Sequence, residues 1–166
     1  GETHRMHALQ LADPKAAEVF DPKAWERIKN RAGDIQLEVN PDVPAALNAT
    51  LRPYQIDGFK FLAYPAVNNF GGILADDMGL GKTVQALAFI QSIWHKTADA
   101  DRLPNLLICP TSVLSNWQSE AQKFTPELNV ILHHGLDRLH GAAFRRAARG
   151  ASLVVTTYSL MLRDQE

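Results

Sequence analysis

The chain has 166 residues, 46% of them hydrophobic and 21% charged, with 17 lysines and arginines set against 18 aspartates and glutamates. That apolar content excludes a disordered segment, and the near-zero net charge excludes a protein that coats nucleic acid by charge alone. The longest apolar runs, such as Leu106 to Cys109 and Leu153 to Val155, fall far short of the roughly 20 residues that span a bilayer, so the expectation is a non-membrane protein with one hydrophobic core.

Residues 1–50 carry eight acids and six bases and are broken by Pro14, Pro22, Pro41 and Pro44, the pattern of an irregular lead-in. Within it, Pro22 to Arg31 predicts a short helix, with Asp21 as its N-cap, Pro22 in the first position and Gly33 beyond the end. The N-terminus lacks the basic-then-apolar order of a secretory signal. A single cysteine, Cys109, permits neither an intrachain disulfide nor a zinc site of several thiolates. A reducing, intracellular compartment is the expectation.

From Leu51 to Glu166 helix-like and strand-like blocks alternate, which predicts an α/β fold with a mostly parallel sheet flanked by helices. Pro53 to Ala63 reads as a helix, Gly72 to Ala75 as a short strand and Lys82 to His95 as a largely buried helix. Leu106 to Cys109 is the next strand. Ser115 to Phe124 follows as a helix, with Ser115 and Gln118 spaced for a capping box and Trp117, Ala121 and Phe124 as its core anchors. Val130 to His133, a helix near Leu139 to Ala148 and a strand from Ser152 to Thr156 complete a set of four expected strands.

The strongest chemistry lies between the first strand and its helix, in Asp76-Asp77-Met78-Gly79-Leu80-Gly81-Lys82-Thr83. A polyphosphate needs several backbone N–H donors converging on it, and glycine lets the backbone approach without a Cβ. The positive end of the following helix adds to that field. Lys82 would supply a mobile charge for the outer phosphates, and the Thr83 hydroxyl stands where it can ligate magnesium. The strict phosphate-loop pattern asks for glycine where Asp76 stands, so only Gly81-Lys82-Thr83 meets it.

Several separated motifs carry a resemblance to one family. Leu51-Arg52-Pro53-Tyr54-Gln55, the stretch from Gly72 to Gln85, Leu107-Ile108-Cys109-Pro110-Thr111-Ser112-Val113-Leu114-Ser115-Asn116-Trp117, His134-Gly135 and Val154-Val155-Thr156-Thr157-Tyr158 together resemble the opening of a Swi/Snf-type ATPase, a superfamily-two, helicase-like DNA translocase. In that family aspartate at position 76 is usual. The resemblance implies a partial RecA-like lobe over residues 51–166, with ATP and magnesium as ligands. By position it makes Arg52, Gln55, Asp76, Asp77, Met78, Gly79, Leu80, Gly81, Lys82 and Thr83 the nucleotide site, Gln55 reading the adenine edge and Thr83 holding magnesium. It places Pro110, Thr111, Ser112, Thr156 and Thr157 on the backbone of one strand of duplex DNA, contacts that position without reading sequence. A DNA-bound protein complex and a second RecA-like lobe are the further partners implied.

The family's next landmark is an Asp-Glu pair ending an apolar strand, and no such pair occurs in the sequence. Phosphoryl transfer depends on groups of that kind, so nucleotide binding that is weak at best, without turnover, is expected, and no catalytic residue is assigned. The alternative from another class is a nucleic-acid or protein interaction module carrying a non-functional remnant of the loop; phosphate binding by the loop separates the two. The combination of Asp-Asp-Met-Gly-Leu-Gly-Lys-Thr with Cys-Pro-Thr-Ser-Val-Leu-Ser-Asn-Trp argues against an RNA helicase or a restriction translocase. Arg138, Arg145, Arg146 and Arg149 read either as a solvated helix face or as a phosphate-binding patch. His133 and His134, adjacent on a strand, point to opposite faces, which disfavours a metal site.

Overall fold

The computed structural model describes residues 38–164. They fall into two units, residues 41–62 with 73–164, and residues 38–40 with 63–72. The helix predicted over residues 22–31 and its cap lie outside the described residues.

The larger unit holds a three-stranded, all-parallel sheet in the order β1-β3-β2, with β1 Asn105–Cys109, β2 Val130–Leu132 and β3 Leu153–Thr157. Asn105 stands opposite Leu153 and Cys109 opposite Thr157, while Val130 to Leu132 pair with Leu153 to Val155 on the other edge. Paired on both sides, β3 is buried at every residue, as its near-continuous apolar run requires. The helices are α1 Pro53–Val67, α2 Lys82–Lys96, α3 Leu114–Phe124, α4 Gly141–Arg149 and α5 Tyr158–Arg163. This is the expected α/β architecture.

Two apolar clusters hold the unit together. Leu87, Cys109, Leu114, Ala121, Leu153 and Val155 form one, with Trp117 and Phe124 packed against it as the helical spacing predicts. The second joins Leu47, Leu51 and Phe59 to Val84 and Ala88, fixing α1 and the stretch before it against α2. Fully buried side chains such as Phe59, Leu87 and Val155 each contribute about 2 kcal/mol. Cys109 behaves as a small hydrophobe there, and burial pushes its thiol pKa up.

Three expectations are corrected. Residues 72–75 form no strand, and Ile73 is 84% exposed. The apolar run signals a strand, but a strand also needs a neighbour for its backbone groups, and no described residue bonds to this stretch. Among the described residues the sheet therefore has three strands where four were expected. The capping box is absent too: a 3-10 turn, Thr111–Val113, runs straight into α3, whose N-cap is Val113 with no side-chain bond. Ser115 consequently lies inside the helix.

In the smaller unit α1 ends in a Schellman closure. Asn69, at φ 56°, donates its N–H to Ala66 O (3.2 Å) and Phe70 N–H donates to Pro65 O (2.7 Å), satisfying carbonyls the last turn leaves open. Asn68 Nδ2 bonds Tyr64 O at 3.0 Å.

Candidate functional site

The loop of residues 76–83 leads into α2, and its shape is set by two glycines. Gly79 and Gly81 stand at φ 85° and 81°, the left-handed region where an L side chain costs roughly 1–2 kcal/mol. Gly81 is the N-cap of α2, and among the described residues the backbone N–H groups of 81–83 donate to no backbone carbonyl. Those are the orphan donors of a helix start. Lys82 folds back across the loop and donates from Nζ to the carbonyl oxygens of Asp76 and Asp77, 2.8 Å each. Two dipoles thus hold the ammonium without neutralising it. Unpaired amides, left-handed glycines and a poised cation fit a polyphosphate.

Side chains from the helices hold this loop in place. Gln55, on the first turn of α1, accepts from Arg52 N–H through Oε1 (2.9 Å) and donates from Nε2 to Leu80 O (3.0 Å). A Cβ on Gly81 would come 2.5 Å from that nitrogen, so the position is glycine for space as well as for φ. Gln85, fully buried on α2, donates from Nε2 to Asp76 Oδ2 at 3.1 Å. It reaches there only because Gly58 of α1 has no side chain, since a Cβ at that point would overlap Gln85 Oε1. Asp76 and Asp77 shape the loop, through one carboxylate and two carbonyls. Arg52, Asp77, Met78 and Gly79 are exposed, Met78 almost completely.

The residues expected at DNA lie where β1 and β3 end. Cys109 and Thr157 are register partners, so Pro110, Thr111 and Ser112 emerge beside Thr156 and Thr157 at the same C-terminal end of the sheet. Pro110, Thr111 and Ser112 are exposed. Thr156 and Thr157 are buried, and their hydroxyls are committed within the protein: Thr156 Oγ1 donates to His133 O (3.0 Å), and Thr157 Oγ1 accepts from Leu160 N–H (3.4 Å) as the cap of α5.

Residues 54–166 match the SNF2-related domain family. The chain belongs to that family. A solved SWI2/SNF2 ATPase core of Sulfolobus solfataricus, in complex with double-stranded DNA, is 37% identical with a TM-score of 0.63, over 78% of this chain and 25% of that one. YwqA of Bacillus subtilis, described as an ATP-dependent helicase/translocase, is 44% identical over 124 residues, 75% of this chain and 13% of that protein. Helicase SWR1 of Cryptococcus neoformans is 35% identical over 149 residues, 85% of this chain and 11% of its own. The chain thus spans a small part of each relative. It has the partial RecA-like α/β fold of SNF2-type, superfamily-two ATPases, as the motifs implied.

Beyond the motifs quoted from its sequence, this SNF2-related chain contains a cluster that sequence spacing does not reveal. His133, buried at the end of β2, meets Asp164 at 3.0 Å through Nε2. Arg138 grips both oxygens of Asp164 from Nε and Nη2 (2.9 and 3.0 Å) and donates from Nη1 to Gly135 O (3.0 Å). Arg138 therefore serves as a clamp on Asp164, apart from Arg145, Arg146 and Arg149, which make no ion pair among the described residues. His134 is exposed, as the alternation predicts.

Hydrogen bonds from Arg138 and then His133 hold the Asp164 carboxyl well below the usual carboxylate range, against a smaller opposing effect of burial. A depressed carboxylate contributes stability above its unfolded pKa, about 4, and loses it as pH falls toward the folded value. Asp164→Asn is accordingly expected to lower the melting temperature at pH 7. The gap between variant and wild type should narrow steadily below about pH 4. A gap of constant size in thermal melts across that range would disprove the role.

Proposed function

We propose that this chain is the ATP-binding portion of an SNF2-type, DNA-dependent ATPase that translocates on duplex DNA and remodels protein–DNA complexes. The observation that carries the reading is the loop of residues 76–83, with its ammonium held by carbonyl dipoles beside unpaired helix-start amides. Residues 1–50 are its lead-in, and residues 51–166 the N-terminal part of the first RecA-like lobe. The last part of the lead-in straps onto that lobe, through Val43 and Leu47 in the cluster around Phe59.

In this reading Lys82 exchanges its two carbonyl partners for the outer phosphates of ATP, a move of one flexible side chain. Charge-assisted bonds to phosphate are stronger than bonds to neutral carbonyls, so the exchange favours the bound state. Gly79 and Gly81 keep Cβ atoms out of the cradle. Thr83 offers its hydroxyl to magnesium, which would screen the phosphate charge. Gln55 and Arg52 border the loop where the adenine edge would lie, with Gln55 also fixing Leu80. On the DNA side Thr111 and Ser112 present exposed hydroxyl donors to a phosphate backbone, and Pro110 sets the chain's course into them. Thr156 and Thr157 act there by fixing the turn from β3 into α5.

Turnover is a separate matter, because no Asp-Glu pair is available in the sequence to hold magnesium and activate water. The full 166-residue chain should bind magnesium-ATP by calorimetry and release no phosphate above background, with or without duplex DNA. Phosphate release that disappears in Lys82→Ala would overturn the inactivity. Absence of any nucleotide binding, with DNA or partner binding indifferent to Lys82→Ala, would favour the interaction-module reading.

A further inference from the structure

At the other end of the sheet lies a surface that neither nucleotide nor the candidate DNA face uses. A cleft of about 250 Å³ opens between α4 and the stretch entering β1, its surface mainly apolar and built from Leu103, Pro104, Phe144 and Ala148. Leu103 is 80% exposed. Arg145 and Arg149 border the cleft from α4, and neither has an ion-pair partner among the described residues. The third arginine there, Arg102, is already committed. It donates from Nε to Trp94 O (2.9 Å) and Thr97 O (3.1 Å), lies over the Trp94 ring and pairs with Asp99, and so forms a fixed wall that closes the end of α2.

Topology places this cleft away from the other sites. Pro104 precedes Asn105, Arg149 shortly precedes Leu153, and Asn105 and Leu153 are register partners at the start of parallel strands. Residues 110–112 and 156–157 belong to the opposite ends of those strands. A ligand in the cleft would therefore leave the nucleotide loop and the candidate DNA face free.

We propose that this cleft is a docking site for an acidic peptide segment of a partner protein, one bulky apolar side chain entering the cleft while flanking carboxylates pair with Arg145 and Arg149. The apolar lining selects a peptide over a nucleic acid. Arginines alone serve a phosphate backbone as well as a carboxylate, but a sugar-phosphate backbone brings no apolar group to a cleft walled by Leu103, Pro104, Phe144 and Ala148. A mainly apolar pocket needs an apolar group to fill it, and a cavity of roughly 150 Å³ already accepts benzene. Guanidinium forks beside a cleft lined by an aromatic ring are the composition of an interaction hot spot once a partner covers it. The strong sidedness of α4 follows: Phe144, Ala147 and Ala148 are half-buried while Arg145, Arg146 and Arg149 face solvent.

The test uses the full chain and a short fluorescent peptide of aspartates and glutamates around one central tryptophan, with fluorescence anisotropy as the readout. The tryptophan peptide should bind about tenfold more tightly than its alanine counterpart. Arg145→Gln with Arg149→Gln, both at exposed positions, should weaken it by at least about tenfold. Ala148→Phe, which fills the cleft and keeps the charges, should bind the two peptides alike. Equal binding of both peptides by the unaltered chain would reduce the site to a charge effect and overturn the proposal, and that comparison needs no variant to fold. Failure of the tryptophan peptide to bind would overturn it too. Displacement of the peptide by a duplex DNA of matched charge, lost with the same two arginines, would assign the surface to nucleic acid instead.

Discussion

Replacing Lys82 with alanine is expected to weaken magnesium-ATP binding by about a hundredfold or more while leaving the thermal melt of the chain nearly unchanged. Its ammonium makes two hydrogen bonds, both to carbonyls of the loop, at Asp76 and Asp77, and water can replace it at those partly exposed oxygens. Little stability is therefore at stake in the free protein. With phosphate present the ammonium supplies charge-assisted bonds worth about 1.5–3 kcal/mol each, and about 2.8 kcal/mol is already a hundredfold. Lys82→Arg should not restore affinity, because a planar fork does not occupy the place of a compact charge held between two carbonyls. Calorimetry of the three proteins side by side decides the matter. Dissociation constants within about threefold of each other would mean that the ammonium remains with its carbonyls when nucleotide is present, and that the loop's amides alone hold the phosphates.

How far the sequence reveals this site depends on the range of the interaction. The turn from residue 76 to residue 83 is local: glycines at φ 85° and 81°, a lysine and a helix start follow from a few adjacent residues, and they are where the motif puts them. The same holds for Trp117, Ala121 and Phe124, whose spacing on one helix marks the buried face. Residues 72–75 look like a strand because their side chains are apolar, yet a ladder is made by two segments and the pattern of one cannot supply the other. Ser115 and Gln118 have the spacing of a cap, but the 3-10 turn at Thr111–Val113 moves the helix start one residue ahead of Ser115. His133 and Asp164 are separated by 31 positions, and nothing in either neighbourhood announces the other. The unpaired cleft beside α4 is likewise invisible to periodicity, which marks Phe144 as apolar without saying that Leu103 and Pro104 stand across from it.

Gly58 is the position where that hidden, tertiary layer should have its largest measurable effect. On an isolated helix Gly58→Ala would be stabilising by about 1 kcal/mol. In this chain the opposite is expected, a net loss of about 1 kcal/mol in denaturant unfolding, because overpacking a filled site costs about 1–3 kcal/mol and outweighs the roughly 1 kcal/mol the helix gains. The new Cβ would overlap Gln85 Oε1 and approach its Cδ to 3.0 Å, and Gln85 is fully buried. Its Oε1 has no hydrogen-bond partner among the described residues, so rotation of the amide is resisted by packing and by the bonds from Nε2 to Asp76 Oδ2 and, at 3.5 Å, to Leu80 O. Rotation sacrifices both bonds, freeing the carboxylate that shapes the loop. Gly58→Ala should therefore weaken nucleotide binding although residue 58 lies outside the loop. Gln85→Ala should also destabilise, through the cavity it leaves. Combined, the two substitutions should cost less than their sum by at least about 1 kcal/mol, since the added methyl occupies part of the space the glutamine vacates. Independent sites add to within about 0.5 kcal/mol. Additivity of that quality would mean that the two helices do not meet through this pair, and that the loop's shape rests on Gln55 and the glycines alone.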